Sequence, residues 1–343
     1  MQTIRIENLW LCAEDATILD VRTPAEFEKG HIPNAKNLPL FSNEERVVVG
    51  TIYKQDSPEN ALLQGLDFVG SKMSFFIREA KKLAPNKKVI MHCWRGGKRS
   101  QSMAWLLAMA GFDVTVLQGG YKAYRKYVQH FLATQEPKFV LIGGQTGSGK
   151  TEVLQHLQAM GEQVLDLEKL ANHKGSAFGS LGESPQPSCE HFENLLFTNF
   201  RLFDFTRRIF VENESKIIGT CLIPPYFYAS MRNYFFIHYS IPIHLRVQRL
   251  VADYAVFSKE ELKDRFTKIK NKLGGEQYKS ALQNLDENDF ASAAEIALKF
   301  YDKTYLFGLE NNTTPNKIEW TFEHADMEII AKEIQTICSK QHI

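Results

Sequence analysis

Two glycine-bearing loops, each between an apolar run and a helical pattern, constrain the fold of this chain most strongly. The first, residues 92–100, reads HCWRGGKRS and follows the apolar run 88–91. The second, residues 144–151, reads GQTGSGKT and follows the apolar run 139–142. A glycine loop between a buried strand and a helix directs backbone N–H groups at an anion. The chain is therefore predicted to hold two anion-binding loops, of which only the first carries a thiol.

Strand and helix patterns alternate in two blocks, which predicts two α/β domains with parallel sheets. A chain of 343 residues is long enough for each domain to bury its own core. A polar stretch with a proline at 134–138 separates the blocks, so we predict an N-terminal domain over 1–132 and a second domain over 138–343. The predicted strands are 17–21, 88–92, 139–142, 163–167, 208–212 and 234–238, and the chain is expected to become largely helical beyond about residue 242.

Composition limits the kinds of partner. The chain has 41 Lys and Arg against 40 Asp and Glu, so any contact with nucleic acid must come from local basic patches. No apolar run reaches the roughly 18 residues that span a bilayer, and no signal peptide is evident, so we expect a cytoplasmic protein without membrane contact. Five scattered cysteines without CxxC spacing argue against a disulfide framework or a zinc site.

The first loop has the features of a nucleophilic site. Cys93 ends a strand pattern and leads through glycines into a helix, where backbone donors and the helix dipole favour a thiolate. Arg99 offers a planar fork to a tetrahedral oxyanion. Cys93 is therefore the predicted catalytic residue, and the other four cysteines are interpreted as structural. The predicted anion-binding residues around it are Trp94, Arg95, Gly96, Gly97, Lys98 and Arg99.

Further motifs in the N-terminal block resemble the rhodanese family. Residues 20–27 read DVRTPAEF and residues 30–35 read GHIPNA. With the cysteine loop, the resemblance covers about residues 1–130 and implies the rhodanese fold. Asn34 stands where the family usually has glycine, and asparagine tolerates a positive φ. The resemblance implies that Asp20 and Arg22 support the loop, although an ion pair at a helix start explains them equally well.

The first loop also fits HCxxGxxR[ST], the pattern of cysteine phosphatases. A phosphatase needs a general acid for its leaving group, and no acidic residue lies in this stretch. The loop is nevertheless expected to accept a phosphate-sized tetrahedral anion, a class that includes selenophosphate and thiosulfate. A rhodanese-fold cysteine phosphatase or sulfurtransferase joined to a P-loop kinase is thus an open alternative. A non-catalytic P-loop RNA-binding protein is a third, against which Cys93 and the complete second loop count.

The second loop matches GxxxxGK[ST] in full, between a strand and a helix, which predicts a P-loop and a P-loop NTPase-like domain. Its backbone is expected to wrap a β-phosphate that Lys150 neutralises, and the Thr151 hydroxyl is a candidate ligand if Mg²⁺ accompanies the diphosphate. Candidate acids after the next strands are equally consistent with ordinary strand ends, so no metal ligand is assigned. These acids are Asp166, Glu168, Glu212 and Glu214. The predicted diphosphate-binding residues are Gly144, Gly147, Ser148, Gly149, Lys150 and Thr151.

Both blocks together resemble the tRNA 2-selenouridine synthases, which join a rhodanese domain to a P-loop domain. The matching stretches are 93–97 (CWRGG), 99–100 (RS), 119–125 (GGYKAYR), 166–179 (DLEKLANHKGSAFG), 214–215 (ES) and 218–219 (IG). The resemblance implies that wobble 2-thiouridine of tRNA is S-geranylated by geranyl diphosphate and that selenium from selenophosphate then replaces the S-geranyl group. On this view the P-loop holds the diphosphate, and Cys93 carries selenium as a perselenide. Both donors are co-substrates, and no tightly bound cofactor is expected.

The expected partners are a tRNA with 2-thiouridine at the wobble position and an enzyme that supplies selenophosphate. Basic residues on helical patterns are candidate RNA contacts, with a solvated helix face as the alternative. These candidates are Lys122, Arg125, Arg246 and Arg249. An isoprenoid needs an apolar slot, for which the aromatic-rich stretches 192–210 and 224–228 are candidates, with ordinary core packing as the alternative.

Overall fold

The computed structural model describes residues 2–310, 314–341 and 343, which form two compact units. The first unit contains the chain up to Leu132 together with Glu193–Thr198, and the second contains 133–192 and 199–343. The sequence-based division into two continuous domains did not place Glu193–Thr198 in the first unit.

The segment Glu193–Thr198 joins the first unit through specific contacts. Asn194 is fully buried, and its Nδ2 donates to the His31 carbonyl and to the Tyr121 hydroxyl, both at 2.8 Å. The Phe197 ring packs edge-on against Trp10, with 5.4 Å between ring centres. These partners lie more than 70 residues earlier in the chain, which is why local sequence patterns did not reveal them.

The first unit is built on a five-stranded parallel sheet of order β1-β5-β4-β2-β3. Its strands are β1 (Gln2–Ile4), β2 (Thr17–Asp20), β3 (Lys36–Asn37), β4 (Lys88–His92) and β5 (Asp113–Leu117). Its helices are α1 (Leu9–Ala13), α2 (Pro24–Lys29), α3 (Asn43–Gln55), α4 (Pro58–Gly70), α5 (Met73–Leu83), α6 (Lys98–Met109) and α7 (Gly120–Thr134), with a 3₁₀ turn at Ile6–Asn8.

The second unit is built on a parallel sheet of order β12-β11-β6-β8-β7 and a small antiparallel pair, β9 and β10. Its strands are β6 (Lys138–Gly143), β7 (Gln163–Leu165), β8 (Arg208–Glu212), β9 (Ile217–Ile218), β10 (Cys221–Leu222), β11 (Phe235–Ser240) and β12 (Lys317–Thr321). The helices are α8 (Lys150–Ala159), α9 (Leu167–Ala171), α11 (Pro225–Met231), α12 (Ile243–Tyr254), α13 (Lys259–Leu273), α14 (Gly275–Asp286), α15 (Phe290–Glu310) and α16 (Met327–Lys340). Helix α10 (Cys189–Phe200) has its ends in this unit and its middle, Glu193–Thr198, in the first.

The predicted fold class is confirmed, since each unit has a parallel sheet and the chain is largely helical after β11. The expectation of a helical C-terminal part missed β12, which pairs parallel with β11. This edge strand is mostly exposed and therefore lacks the apolar run that marks a buried strand. Asn34 has a φ of 68°, so the residue that replaces the usual glycine does adopt the left-handed conformation.

Apolar side chains of the central strands and their flanking helices form the cores. Met91 of β4 and Leu107 of α6 are fully buried in the first unit, as are Ile237 of β11 and Ile330 of α16 in the second. Helices α13, α14 and α15 of the second unit contribute to an apolar cluster of their own. None of the helices in the described residues is both long and apolar enough to cross a membrane.

Candidate active site

The thiol loop lies between β4 and α6, and the start of α7 holds its backbone in place. The Tyr121 N–H donates to the Cys93 carbonyl at 2.9 Å. Gly120 has a φ of +60°, and a Cβ added there would lie 2.4 Å from the Cys93 oxygen and 2.5 Å from the Gly96 nitrogen. A side chain at position 120 would therefore collide with the loop backbone, which explains the glycine.

The surroundings of Cys93 favour its thiolate. The side chain is almost completely buried, and the Ser100 hydroxyl donates to its Sγ at 3.3 Å. Burial opposes ionisation, but the Ser100 hydroxyl, the N–H groups of Arg95 and Ser100, and the charge of Arg99 together lower the pKa of the Cys93 thiol below its ordinary value. A thiolate with such donors is a competent nucleophile.

The guanidinium of Arg99 is engaged differently from the sequence expectation. Its Nη1 donates to Glu26 Oε2 at 2.7 Å and its Nη2 to Glu26 Oε1 at 3.2 Å, so the fork predicted to face an oxyanion faces a carboxylate. Burial opposes ionisation of Glu26, but the hydrogen bonds and charge of Arg99 lower the pKa of Glu26 below its usual range. The same Glu26 closes a capping box with Thr23 at the start of α2. That local signature was readable in the sequence, but the distant partner Arg99 was not.

The other predicted loop residues lie at the surface around Cys93. Trp94, Arg95 and Lys98 are exposed, and Gly97 is the N-terminal capping residue of α6. Gly96 adopts the left-handed conformation with a φ of +66°. Arg95 and Lys98 are therefore the solvent-exposed cations of this loop, whereas Arg99 is paired with Glu26.

Asp20 and Arg22 form a buried pair behind the loop. Arg22 Nη2 donates to Asp20 Oδ2 at 2.6 Å and to the Gly30 carbonyl at 2.7 Å, and both side chains are at most 1% exposed. The guanidinium carbon of Arg22 lies 3.7 Å from the centre of the Tyr121 ring. Because the Tyr121 N–H holds the Cys93 carbonyl, the pair supports the loop through this ring. The two side chains therefore form the ion pair before α2 that was the alternative, and that pair also contacts the ring next to the loop.

The phosphate loop connects β6 to α8 with the expected backbone. Gly147 and Gly149 have φ values of +77° and +78°. Lys150 Nζ donates to the Gly144 carbonyl at 2.9 Å, which places its ammonium across the loop. Ser148 is buried, and its carbonyl accepts a hydrogen bond from the Tyr239 hydroxyl at 3.0 Å. Four of the six predicted diphosphate-binding residues thus lie in the loop, and the other two, Lys150 and Thr151, begin α8.

The candidate acids lie close enough to influence one another's ionisation. The Thr151 hydroxyl donates to Glu168 Oε2 at 3.2 Å, and burial together with the charge of Glu214 raises the pKa of Glu168 to about 8. Glu212 is fully buried and accepts the Leu167 N–H at 3.1 Å, and burial followed by the charge of Asp166 raises its pKa well above the usual range. Within the described ranges, no three His, Cys, Asp or Glu side chains converge as metal ligands.

The polar loop after β7 folds back onto these acids. Gly175 has a φ of +68°, and a Cβ there would lie 2.7 Å from Glu168 Oε1 and 3.0 Å from Glu214 Oε2. This loop belongs to the stretch 166–179, whose sequence resembles the tRNA 2-selenouridine synthases. It therefore lies against the Glu168 carboxyl group, which accepts a hydrogen bond from Thr151.

The predicted RNA contacts of the first unit differ in their surroundings. Lys122 is exposed at the start of α7. Arg125, one turn further along, is mostly buried and pairs with Glu193 and Asn194. The charge of Arg125 therefore stabilises the segment Glu193–Thr198, which makes Lys122 the stronger candidate, and an RNA contact by either residue stays a prediction.

Neither predicted RNA contact of the second unit is a simple surface cation. Arg246 is 3% exposed, forms a two-point pair with Asp302 at 2.7 and 2.8 Å, and donates to the Thr146 carbonyl at 3.2 Å. Arg249 donates to Glu152 at 2.6 Å. The prediction is wrong for Arg246, which ties the phosphate loop to α15, and the charge of Arg249 is balanced by α8.

The aromatic stretches predicted as a prenyl slot are closed core in the second unit. Phe200 packs against Phe227 and Phe139, with ring centres 5.1 and 5.8 Å apart, and all three rings are fully buried. The alternative of ordinary core packing is therefore correct for these rings.

Comparison with known proteins identifies the family of this chain. Residues 8–127 match the rhodanese-like domain, and residues 137–319 match the AAA domain of tRNA 2-selenouridine synthase. The chain belongs to the tRNA 2-selenouridine synthase family. The tRNA 2-selenouridine synthase of Nitrosomonas europaea is 31% identical, over 86% of this chain and 90% of that protein. Those of Shewanella denitrificans and Pseudomonas aeruginosa are 32% and 31% identical, over 93% and 92% of this chain and 94% of each relative.

Proposed function

We propose that this protein converts wobble 2-thiouridine of tRNA to 2-selenouridine in two steps. In the first, the sulfur attacks geranyl diphosphate: an S–C bond forms, the C–O bond breaks and diphosphate leaves. In the second, selenium from selenophosphate replaces the S-geranyl group at C2. The observation that carries the proposal is similarity to tRNA 2-selenouridine synthases along nearly the whole chain, through both the thiol loop and the phosphate loop.

The phosphate loop supplies what a diphosphate leaving group requires. Backbone N–H groups at the start of α8 and the Lys150 ammonium stabilise the negative charge that develops as the C–O bond breaks. If Mg²⁺ accompanies the diphosphate, the Thr151 hydroxyl is the loop oxygen that would hold it. The resulting role of the second unit is prenyl transfer.

The thiol loop is suited to releasing selenium from selenophosphate. In selenophosphate, selenium has the oxidation state of selenide. A perselenide on Cys93 is two electrons more oxidised than a thiolate plus selenide, so its formation would require an oxidant. A redox-neutral route is attack of the Cys93 thiolate on phosphorus, in which an S–P bond forms, the P–Se bond breaks and selenide leaves. Selenide then displaces geranyl thiolate from C2, and water hydrolyses the S-phosphocysteine to phosphate and free thiol. The lowered pKa of Cys93 and the nearby cations Arg95 and Lys98 favour this step.

This reaction defines the partners. The wobble base of the tRNA must reach the sites of both geranylation and selenation. Another enzyme must supply selenophosphate. A cytoplasmic location, where tRNA is found, is part of this proposal.

Two substitutions test the division of labour. Cys93→Ser is expected to geranylate thiolated tRNA normally and to accumulate the geranylated intermediate, because a serine hydroxyl stays protonated near neutral pH. Lys150→Ala is expected to slow geranylation by at least roughly tenfold, since a hydrogen bond to a charged group contributes about 1.5 to 3 kcal/mol. Mass spectrometry of tRNA nucleosides after incubation with both donors measures each product.

The matched controls are Cys12→Ser, at an exposed cysteine of the first unit, and Lys340→Ala, at an exposed lysine of the second. Both are expected to behave as the unmodified protein. Normal 2-selenouridine formation by Cys93→Ser would exclude the proposed role of Cys93. Unchanged geranylation by Lys150→Ala would place the diphosphate elsewhere.

A further inference from the structure

An apolar cavity lies in the helical part of the second unit, among α12, α13, α14 and α15. The space between its lining atoms is about 560 Å³ when its open mouth is included. Within the described residues, no charged side chain lines it. The lining includes Phe266 of α13, and alanines of α15 at positions 293 and 297 leave room that larger side chains would fill.

The cavity is continuous with the phosphate loop. Thr146 of the loop is part of its lining, as is Leu250 of α12. A Cβ on the neighbouring Gly147 would lie 3.3 Å from Leu250 Cγ, so the loop backbone packs directly on the cavity wall. A molecule with its diphosphate on the loop can therefore extend an attached group into this cavity.

The chemistry of the lining selects the attached group. Its polar side chains are few, and one of them, the Tyr301 hydroxyl, already accepts the Ala177 N–H at 3.2 Å. A nucleobase buried among such residues would leave donors and acceptors without partners, which costs free energy, whereas a hydrocarbon chain gains from burial. The lining thus favours a hydrocarbon over a base.

We infer that this cavity binds the hydrocarbon chain of the prenyl diphosphate, an inference that rests on the proposed function and locates its isoprenoid site. The pair between Asp302 and Arg246 brings α15 next to the phosphate loop at Thr146. At 1.5 Å per residue, Ala297 is about 6 Å and Ala293 about 12 Å along the helix from Tyr301. The two alanines therefore mark a near and a far position along the bound chain.

These positions define a test of chain length. Ala293→Phe should lower kcat/KM for geranyl diphosphate at least tenfold and that for the five-carbon dimethylallyl diphosphate much less, because only the far end of the slot is filled. Ala297→Phe should lower both. Phe290→Ala enlarges the lining and should shift preference toward the fifteen-carbon farnesyl diphosphate. Ala291→Phe, at an exposed alanine of the same helix, is the control and should change none of these values.

Binding measured by calorimetry without tRNA separates this inference from the proposed function. Geranyl diphosphate should bind Ala297→Phe at least tenfold more weakly than the unmodified protein, while inorganic pyrophosphate should bind both equally. That result supports the cavity even if no tRNA is geranylated. Geranylation with unchanged kinetics in Ala293→Phe and Ala297→Phe would overturn the inference and leave the proposed function intact. Loss of ATP binding in Ala297→Phe, with geranyl diphosphate unaffected, would assign the cavity to a nucleotide base and also overturn it.

Discussion

At the scale of single residues, the reactivity of Cys93 depends on opposing effects. Burial alone raises the pKa of a thiol, yet hydrogen bonds and the charge of Arg99 lower that of Cys93. The Ser100 hydroxyl is the hydrogen-bond donor that a single substitution removes most cleanly, because Ser100 is buried and its Oγ lies 3.3 Å from Sγ. This donor is therefore the point at which the thiolate can be tested without altering the loop backbone.

Ser100→Ala is expected to raise the pKa of Cys93, so the thiolate fraction at neutral pH falls. A thiolate is the reactive species, so the rate of alkylation of Cys93 should reach its plateau at a higher pH than in the unmodified protein. The rate of iodoacetamide reaction against pH, followed by mass spectrometry of the peptide that contains Cys93, measures this shift. Ser102→Ala, at an exposed serine of the same helix, should leave the profile unchanged. Identical profiles for both variants would mean that Ser100 does not stabilise the anion.

At the scale of elements, the start of α7 acts as a support for the thiol loop. Gly120 and Gly111 both have positive φ values, +60° and +81°, so alanine is strained at either position. A Cβ at 120 would also meet the backbone of the thiol loop at 2.4 Å, whereas one at 111 has nothing within 4 Å. Alanine at position 111 therefore measures the free-energy cost of the backbone conformation alone, and alanine at position 120 measures that cost together with the steric clash.

Gly111→Ala is expected to destabilise the protein by about 1 kcal/mol, the usual order for an unfavourable φ. Gly120→Ala should cost more and should also displace Cys93, because the obstructing atoms are backbone and cannot rotate away. Thermal unfolding and the alkylation rate of Cys93 measure the two effects. If Cys93 is alkylated at the same rate in Gly120→Ala as in Gly111→Ala, the start of α7 does not position the loop.

At the scale of the whole molecule, the net charge is only +1, so tRNA binding must depend on local patches of basic residues. Affinity for tRNA is nevertheless expected to fall steeply with salt, because each phosphate contact releases counterions. Lys122→Ala should reduce the slope of log affinity against log salt by about one. Arg125→Ala should leave the slope unchanged and lower the unfolding temperature, because Arg125 pairs with Glu193. Filter binding across a salt series measures the slope, and a flat series would exclude an extended phosphate contact.

Sequence alone determined the parts of this protein that depend on neighbours in the chain. Each anion loop is a strand, a turn with glycines and a helix in direct succession, so the residues that form it follow from a short stretch. The positive φ of Asn34 and the positions of Cys93 and Lys150 belong to this class. The edge strand β12 could not be predicted in this way, because its mostly exposed residues carry no apolar pattern.

Only the tertiary structure decided which distant groups meet. Arg99 and Arg246 are similar cations in the sequence, but packing brings them to Glu26 and Asp302, 73 and 56 residues away. The apolar cavity beside Thr146 is likewise formed by side chains from four helices. Periodicity identifies the apolar face of each helix but not the space left where the faces meet. That space depends on how the helices pack, which is why the sequence offered aromatic stretches as candidates for a prenyl slot, with core packing as the alternative, and did not locate this cavity.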